Sequence, residues 1–219
     1  RCPTERVEPP RVIPKEARFY SPENLKRLYA LSEGHWLEII VKLAGSLGLR
    51  REEICGLRWD SVDFNLRKIH IKAARTAAGA NIVLKETKNR SSNRVLHLND
   101  DLLRLLKRER ARQAQNRLAL GEAWPDTGLV AVDDQGVPYS PNAVSLAFTR
   151  FIRKNGLPKI TLHGLRHTFA TRCIELGVDV KTLSEILGHA NVSTTLNTYV
   201  HSSMERKREQ LEKLFVESY

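Results

Sequence analysis

The chain has 219 residues, with 36 Lys and Arg against 25 Asp and Glu, and its formal net charge is +11. A hydrophobic fraction of 41% with 12 Gly and 9 Pro excludes collagen-like and mostly disordered chains and is enough for a folded core. Three cysteines (Cys2, Cys55, Cys173) cannot form a disulfide framework, and no apolar run approaches the roughly 20 residues that cross a bilayer. We therefore expect a cytoplasmic protein without a membrane partner, whose excess positive charge favours a polyanion such as nucleic acid.

The first part of the chain is predicted to be a linker followed by short helices. Residues 1–16 hold four prolines and no helical period, so we expect a linker or arm that continues from a preceding part of the natural protein. Ser21 followed by Pro22 is typical of a helix N-cap and first turn, and predicts a helix through about Leu31. Further helices are expected over residues 35–47, ending at a glycine, and 51–57.

The middle of the chain changes period, and alternation predicts strands at LRKIHIKAA (66–74), NIVLKE (81–86) and NRVLHL (93–98). We expect these three to form one small antiparallel sheet. A long helix is predicted over 100–120 after an Asn99 cap, and a short hairpin turns at residues 133–136. Helices are expected from Pro141 to near Gly156 and over 162–176, 180–187, 193–201 and 203–216. The fold class is therefore α+β, mostly α-helical, with one small three-stranded antiparallel sheet.

The predicted helix at 162–176 has an unusual distribution of polar residues. At about 100° per residue, a core stripe is expected at Leu165, Phe169, Cys173 and Leu176, with Thr168 turned to water. A third sector combines basic with apolar side chains: His163, Arg166, His167, Ala170 and Ile174. Burying an arginine is costly unless an anion or carboxylate pairs with it, so this sector is either an anion site or an internal Arg–carboxylate bridge with two structural histidines.

Four other positions carry candidate chemistry, each with an ordinary alternative. Arg50 follows a glycine and has Glu53 three residues later, a spacing that also suits a surface ion pair. His189 follows Gly188 in a predicted loop, and Tyr199 lies one short helix later, where an aromatic residue often serves packing. Lys88 lies near a tight turn, where lysines usually face solvent.

Taken together, five segments resemble one known family. They occur in the order GLRREEICGLRWDSVDF, ETKNRSSNRVLHL, HGLRHTFAT, EILGH and NTYVH. The chain resembles the catalytic domain of tyrosine recombinases, most closely the integrases of bacteriophages and conjugative transposons, over residues 20–202. The resemblance implies a catalytic domain at 17–202, followed by a C-terminal helical tail at 203–219. It also implies that the arm at 1–16 is the end of a missing N-terminal DNA-binding region.

The resemblance implies a reaction in which Tyr199 attacks a DNA phosphate and forms a 3′-phosphotyrosyl intermediate. Two arginines, Arg50 and Arg166, can fork onto the non-bridging oxygens because guanidinium stays charged at every relevant pH. Histidines titrate near neutrality, and the resemblance makes His163 the base and gives His189 a role in supporting the phosphate. No ATP, metal or other cofactor is expected, since the sequence has no carboxylate cluster for divalent-ion chemistry.

The remaining site residues follow from the resemblance and from position. Lys88 is expected to protonate the departing 5′-oxygen, although Lys85 and Arg90 are close enough to share that role. Glu53 matches an acidic residue that orients the first arginine, and His167 is expected to support Arg166. Contacts to DNA are expected near the sheet, at Lys72, Arg75, Lys85, Arg90 and Arg94. The arginine-rich helix at 100–120 is either a second contact surface or an ordinary solvated face.

The expected partners are double-stranded DNA attachment sites, further copies of the chain and an accessory DNA-bending or directionality factor. The tail at 203–219 is expected either to dock on a neighbouring protomer of a DNA-bound tetramer or to pack on its own domain. A type IB topoisomerase or telomere resolvase would share the chemistry. A non-enzymatic regulator is the other alternative, with a helix-turn-helix whose turn holds Gly188 and whose recognition helix covers 193–199.

Overall fold

A computed structural model of the chain describes residues 19–78, 81–86 and 93–199. The predicted arm at 1–16 and the tail at 203–219, with its predicted helix, lie outside these residues. Within the described part, no helix has the length and apolar character needed to cross a membrane.

Eight α-helices are present among the described residues, and their caps follow the predicted signals. The Ser21 side chain accepts from the Asn24 amide, and Ser140 and Asn99 cap their helices in the same way. The helices are α1 (Pro22–Ser32), α2 (Glu38–Leu47), α3 (Arg51–Cys55), α4 (Asp100–Leu120), α5 (Pro141–Lys154), α6 (Leu162–Glu175), α7 (Val180–Leu187) and α8 (Val192–Tyr199).

The predicted small antiparallel three-stranded sheet is present, but its strands differ from those expected. They are β1 (Val62–Asp63), β2 (Lys68–Ile71) and β5 (Arg94–His97), in the order β1-β2-β5. The other two strands, β3 (Ala73–Ala78) and β4 (Asn81–Glu86), pair only with each other in a separate two-stranded sheet. The stretch 66–74 is thus divided at Lys72 between two sheets, because alternation marks a strand but does not select its partner.

The main core lies between the three-stranded sheet and the helices that cover it. Ile69 and Ile71 of β2 are fully buried there, together with Leu43 of α2, Phe148 of α5 and Leu165 of α6. A second, smaller apolar cluster joins the later part of α6 to α7 through three fully buried residues, Ala170, Leu183 and Leu187.

The predicted core stripe of α6 is wrong at two positions. Leu176 is 74% exposed, whereas Thr168 is completely buried. The Thr168 hydroxyl donates to the Gly164 carbonyl and accepts from the Tyr20 amide, so its burial leaves no polar group unpaired. Because α6 contacts α2, α7 and α8, residues 164–168 are buried, whereas His163 at its start and Glu175 at its end are exposed.

Candidate active site

Three arginines from three different elements meet at the carboxyl end of α7. The consecutive carbonyls of residues 186–188 accept, in order, from Arg94 Nε at 2.6 Å, Arg166 Nη2 at 2.8 Å and Arg50 Nη2 at 3.1 Å. The last carbonyls of a helix have no partner within the helix and carry partial negative charge, so they suit cationic donors. The end of α7 therefore fixes the guanidinium groups relative to one another.

A second carbonyl ties Arg166 to the end of α2. Gly48 caps α2 in the left-handed conformation, with φ of +65°, and its carbonyl accepts from Arg166 Nη1 at 2.6 Å. A Cβ atom at Gly48 would lie 2.6 Å from Phe169 Cδ1 and 2.8 Å from Leu187 Cδ2, so glycine is required for space as well as for conformation. The turn then places Arg50 two residues later.

Glu53 is the carboxylate of the cluster and is only 3% exposed. Its Oε2 accepts from the Arg50 amide at 2.9 Å, and its Oε1 accepts from Arg50 Nη1 at 2.8 Å. Arg94 adds a two-pronged pair, with Nη1 to Oε1 at 3.0 Å and Nη2 to Oε2 at 2.9 Å. Burial by itself raises the pKa of Glu53, but the bonds and charges of Arg94 and Arg50 outweigh it and hold that pKa below its ordinary value.

Arg50 and Arg166 differ strongly in exposure. The Arg50 side chain is 33% exposed and lines a cleft of 430 Å³, whereas Arg166 is 1% exposed behind it. A phosphate can therefore approach Arg50 directly, but it reaches Arg166 only if the groups that cover this guanidinium move apart. The cleft is lined by Arg50, Arg51, Glu52, Ser145, Thr149, Thr161, Leu162 and His163.

Two histidines lie close enough to the arginines for the positive charges to lower their pKa values. His163 lies at the exposed start of α6 in the wall of the cleft, and desolvation followed by the charges of Arg166 and Arg50 lowers its pKa. His189 follows α7, and desolvation together with the same two arginines lowers its pKa to about 4. At neutral pH both imidazoles are therefore uncharged and can accept a proton or a hydrogen bond.

A hydrogen bond links His189 to the helix that ends at Tyr199. His189 Nδ1 lies 2.8 Å from the hydroxyl oxygen of Thr195, which is completely buried in α8. Thr195 and Tyr199 are four residues apart, a spacing that puts two positions on the same face of a helix. Sequence reasoning missed Thr195, because the segment VSTTLNTY holds several polar residues and its pattern does not single this one out.

The structure brings together Arg50, Glu53, His163, Arg166 and His189, five residues from three separate stretches of the sequence. His167 is next to them in α6, 8% exposed, with its ring 6.0 Å from that of Phe19. Other predicted members are outside this description. Lys88 and Arg90 are not among the described residues, and only the backbone is described for Lys85 in β4 and Tyr199 in α8.

Arg94, one of the expected DNA contacts, is 8% exposed, and its guanidinium is bound to Glu53 and to the end of α7, so its charge is already engaged within the chain. Of the other two predicted contacts with described side chains, Lys72 is exposed, and Arg75 donates to the Tyr139 carbonyl at 2.9 Å.

On α4, several arginines pair with acidic side chains, which favours the solvated face over a second DNA surface. These pairs are Arg104–Asp101, Arg108–Glu38, Arg112–Glu109 and Arg117–Asp126.

The site is suited to a phosphate or another oxyanion. It holds one guanidinium at an open cleft, a second guanidinium behind it and two neutral histidines. The chain belongs to the phage integrase family, since the model of that family matches residues 18–206. This membership favours the recombinase interpretation over the helix-turn-helix regulator.

Relatives and structural neighbours agree with this assignment. The chain is 29% identical over 94% of its length to the tyrosine recombinase XerC-like protein of Caldanaerobacter subterraneus subsp. tengcongensis, covering 56% of that protein. It is 28% identical over 98% of its length to the ICEBs1 integrase of Bacillus subtilis, covering 58% of that protein. The chain thus spans little more than half the length of these relatives. A solved structure of the Tn1549 transposon integrase in complex with transposon right end DNA has the same fold, with a TM-score of 0.79. The two sequences are 24% identical, and the match covers 92% of this chain and 67% of that one.

Proposed function

We propose that the chain is the catalytic part of a site-specific DNA recombinase, an integrase of a mobile element that acts in the bacterial cytoplasm. It would cut and rejoin DNA strands through a covalent 3′-phosphotyrosyl intermediate, without metal or ATP. The observation that carries this proposal is the convergence of Arg50, Arg166, His163 and His189 at the end of α7, one short helix before Tyr199.

In the proposed reaction the phenolic oxygen of Tyr199 attacks the phosphorus of a DNA phosphodiester. The bond from phosphorus to the 5′-oxygen breaks as the bond to the tyrosine oxygen forms, so the phosphate remains a diester. Neutral His163 accepts the phenolic proton, and Lys88 supplies a proton to the departing 5′-oxygen. Attack by a 5′-hydroxyl of another strand reverses these steps and releases Tyr199, so bond energy is conserved and no nucleotide is consumed.

The charge of the site suits the transition state of this reaction. The phosphate diester carries one negative charge, and in-line attack adds charge to its non-bridging oxygens. Arg50, exposed at the cleft, would take the phosphate first. Arg166 would join when the covering groups separate, so binding and activation would be successive steps.

The test is adduct formation on a suicide duplex whose cleaved strand loses a short 5′-hydroxyl fragment. The chain should form a complex that survives denaturant in EDTA and without nucleotide, and Tyr199→Phe should abolish it. Tyr139→Phe is the matched control, because it removes a phenolic hydroxyl outside the proposed site and should leave the adduct intact.

Two results would change the proposal. Duplex binding with no adduct under any condition would contradict the enzymatic function. Relaxation of supercoiled DNA without a preferred site would favour the topoisomerase alternative, which shares the chemistry but not the recombination.

The oligomeric state belongs to the same proposal. We infer a tetramer on DNA in which the tail at 203–219 docks on a neighbouring protomer, as the family resemblance implies. Removing residues 203–219 should then reduce DNA-dependent assembly, measured by analytical ultracentrifugation with a duplex. Unchanged assembly would contradict docking between protomers and favour packing of the tail on its own domain.

A further inference from the structure

Arg94 holds the most extensive set of charged contacts in the cluster, although it does not line the cleft. Two parallel bonds join its Nη1 and Nη2 to the two oxygens of Glu53, and its Nε donates to the carbonyl of Ile186. The side chains of Arg94 and Glu53 are 6% and 3% exposed. Such a two-pronged pair is the strongest geometry available to an arginine and a carboxylate.

Arg50 shares the same carboxylate less completely. Of the two Nη atoms of Arg50, Nη1 donates to Glu53 at 2.8 Å, whereas Nη2 donates to Gly188, and the side chain stays 33% exposed. Without Arg94, the charge of Glu53 would be balanced by Arg50 alone. The guanidinium that faces the cleft would then form a neutral pair and attract a phosphate weakly.

Counting the charged groups shows what Arg94 changes. Among the side chains that the structure describes, three guanidinium groups (Arg50, Arg94, Arg166) and one carboxylate (Glu53) meet here and leave two positive charges. The neighbouring Arg51 and Glu52 pair with each other at 2.5 Å and cancel. Two positive charges match the charge that accumulates on a phosphate under in-line attack.

We propose that Arg94 is a positioning residue that acts as the counter-ion of Glu53, so that Glu53 can orient Arg50 without neutralising it. This inference rests on the proposed function, since it assigns a role within the same site. Glu53 fixes the Arg50 backbone and side chain, and Arg94 removes the electrostatic cost of having a carboxylate there. The fork of Arg94 is suited to this task because one planar group binds both carboxylate oxygens.

The test compares Arg94→Met with the double variant Arg94→Met/Glu53→Gln in single-turnover cleavage of the suicide duplex. Both variants lack the bonds of Arg94. The double variant also loses the charge of Glu53 and one of the two oxygens that accept from Arg50. Arg94→Met should be slowed by more than tenfold, and the double variant should be faster than Arg94→Met because two positive charges are restored. If Arg94 were merely structural, removing the second partner would slow cleavage further, so an equal or slower double variant overturns the proposal.

Folding is controlled with a second buried carboxylate at the far end of α2. Glu38 is also 3% exposed and is bonded to Lys42 and Arg108, so Glu38→Gln should lower stability without slowing cleavage by the folded protein. If Arg94→Met does not fold, Arg94→Lys replaces it, since lysine keeps the charge but not the fork. Cleavage by Arg94→Lys within about tenfold of wild type supports the counter-ion role, and a larger loss in a folded protein overturns it.

A binding measurement separates this inference from the proposed function. A wild-type chain that forms no adduct contradicts the function. The charge argument still predicts, in the Tyr199→Phe background, a lower Kd for the same duplex with the double variant than with Arg94→Met. The reverse order of the two Kd values would overturn the role of Arg94 whatever the outcome for cleavage.

Discussion

His189 Nδ1 and the hydroxyl oxygen of Thr195 lie 2.8 Å apart and join the loop after α7 to the middle of α8. The bond occupies Nδ1 of His189, so contact of this ring with a phosphate would be made by Nε2. It also makes the position of α8 depend on the histidine loop, and α8 ends at Tyr199.

Replacing Thr195 by Val should therefore slow cleavage more than replacing it by Ser. Valine keeps the shape but leaves the half-buried Nδ1 without its partner, at a cost of about 1–3 kcal/mol, whereas serine retains the hydroxyl. We expect roughly a tenfold loss or more of single-turnover cleavage in Thr195→Val. The measurement pairs the cleavage rate with urea unfolding, and equal rates for the two variants would show that the hydroxyl has no role.

Replacing Gly48 by Ala should destabilise the protein more than the same change at Gly34. Both glycines have positive φ, +65° and +72°, so alanine is strained by about 1–2 kcal/mol at each. A new Cβ meets no atom within 4 Å at Gly34, whereas at Gly48 it would lie within 3 Å of Phe169 and Leu187. We expect overpacking to add about 1–3 kcal/mol at Gly48, measured as the difference in unfolding free energy.

The same pair of variants tests the site. The Gly48 carbonyl accepts from Arg166, so Gly48→Ala should also slow cleavage at a temperature where it remains folded, while Gly34→Ala should not. Similar losses of stability in the two variants would contradict the close packing described at the end of α2.

The pKa of His189 should rise when DNA binds. In the free protein, desolvation and the charges of Arg166 and Arg50 lower that pKa to about 4. A bound phosphate brings negative charge to the same arginines and offsets their repulsion of the protonated imidazole, so the pKa moves upward. NMR titration of the imidazole, in the Tyr199→Phe background with and without duplex, measures this shift.

Arg50→Met provides the comparison in the free protein. Removing one positive charge should raise the pKa of His189, although desolvation, the larger cause, keeps it below the ordinary value. A pKa that does not change on either DNA binding or Arg50→Met would show that the histidine is remote from the phosphate site.

Stability should also depend on pH through this histidine. The folded-state pKa lies below that of the unfolded chain, near 6.5, so the unfolded state binds more protons in acid. The contribution of His189 is therefore complete above about pH 6.5 and is lost as pH falls from there toward 4. Urea unfolding of wild type and of His189→Gln across this window should show a steeper loss in the wild type.

Lysine at Arg50 or Arg166 should slow cleavage strongly. A point charge cannot reproduce the guanidinium fork, and we expect about 3 kcal/mol of barrier, roughly a hundredfold in rate. Arg166→Lys should also lower stability, because Arg166 is 1% exposed and bonds two backbone carbonyls, whereas Arg50 is one-third exposed. Arg172→Lys, a surface change in the same helix, is the control and should alter neither quantity. Near-normal cleavage by Arg50→Lys would refute its assignment to the phosphate.

Local patterns were enough to predict most helices and to name five of the residues that the structure brings together at the candidate site. Caps such as Ser21 with Pro22, and glycine stops such as Gly48 and Gly188, act within a few residues of the chain. The resemblance to the recombinases depended on five short motifs and on the order in which they occur in the sequence. Caps, glycine stops and short motifs are all local features of the sequence. The sequence alone therefore determined the family, the helical class and the candidate arginines and histidines.

Which strands pair with each other, and which side of a helix is buried, was decided only by the tertiary structure. The stretch 66–74 is divided between two sheets, Leu176 is exposed and Thr168 is buried. Each of these outcomes depends on which elements pack together, and the spacing of apolar residues along the chain does not encode that packing. The role of Arg94 changed for the same reason. A basic residue at the start of a strand resembles a DNA contact until Glu53, 41 positions earlier, and the end of α7, 92 positions later, are brought against it. Because the cost of burying a charge depends on its surroundings in space, only the fold could show that Arg94 balances a carboxylate while Arg50 remains open to the cleft.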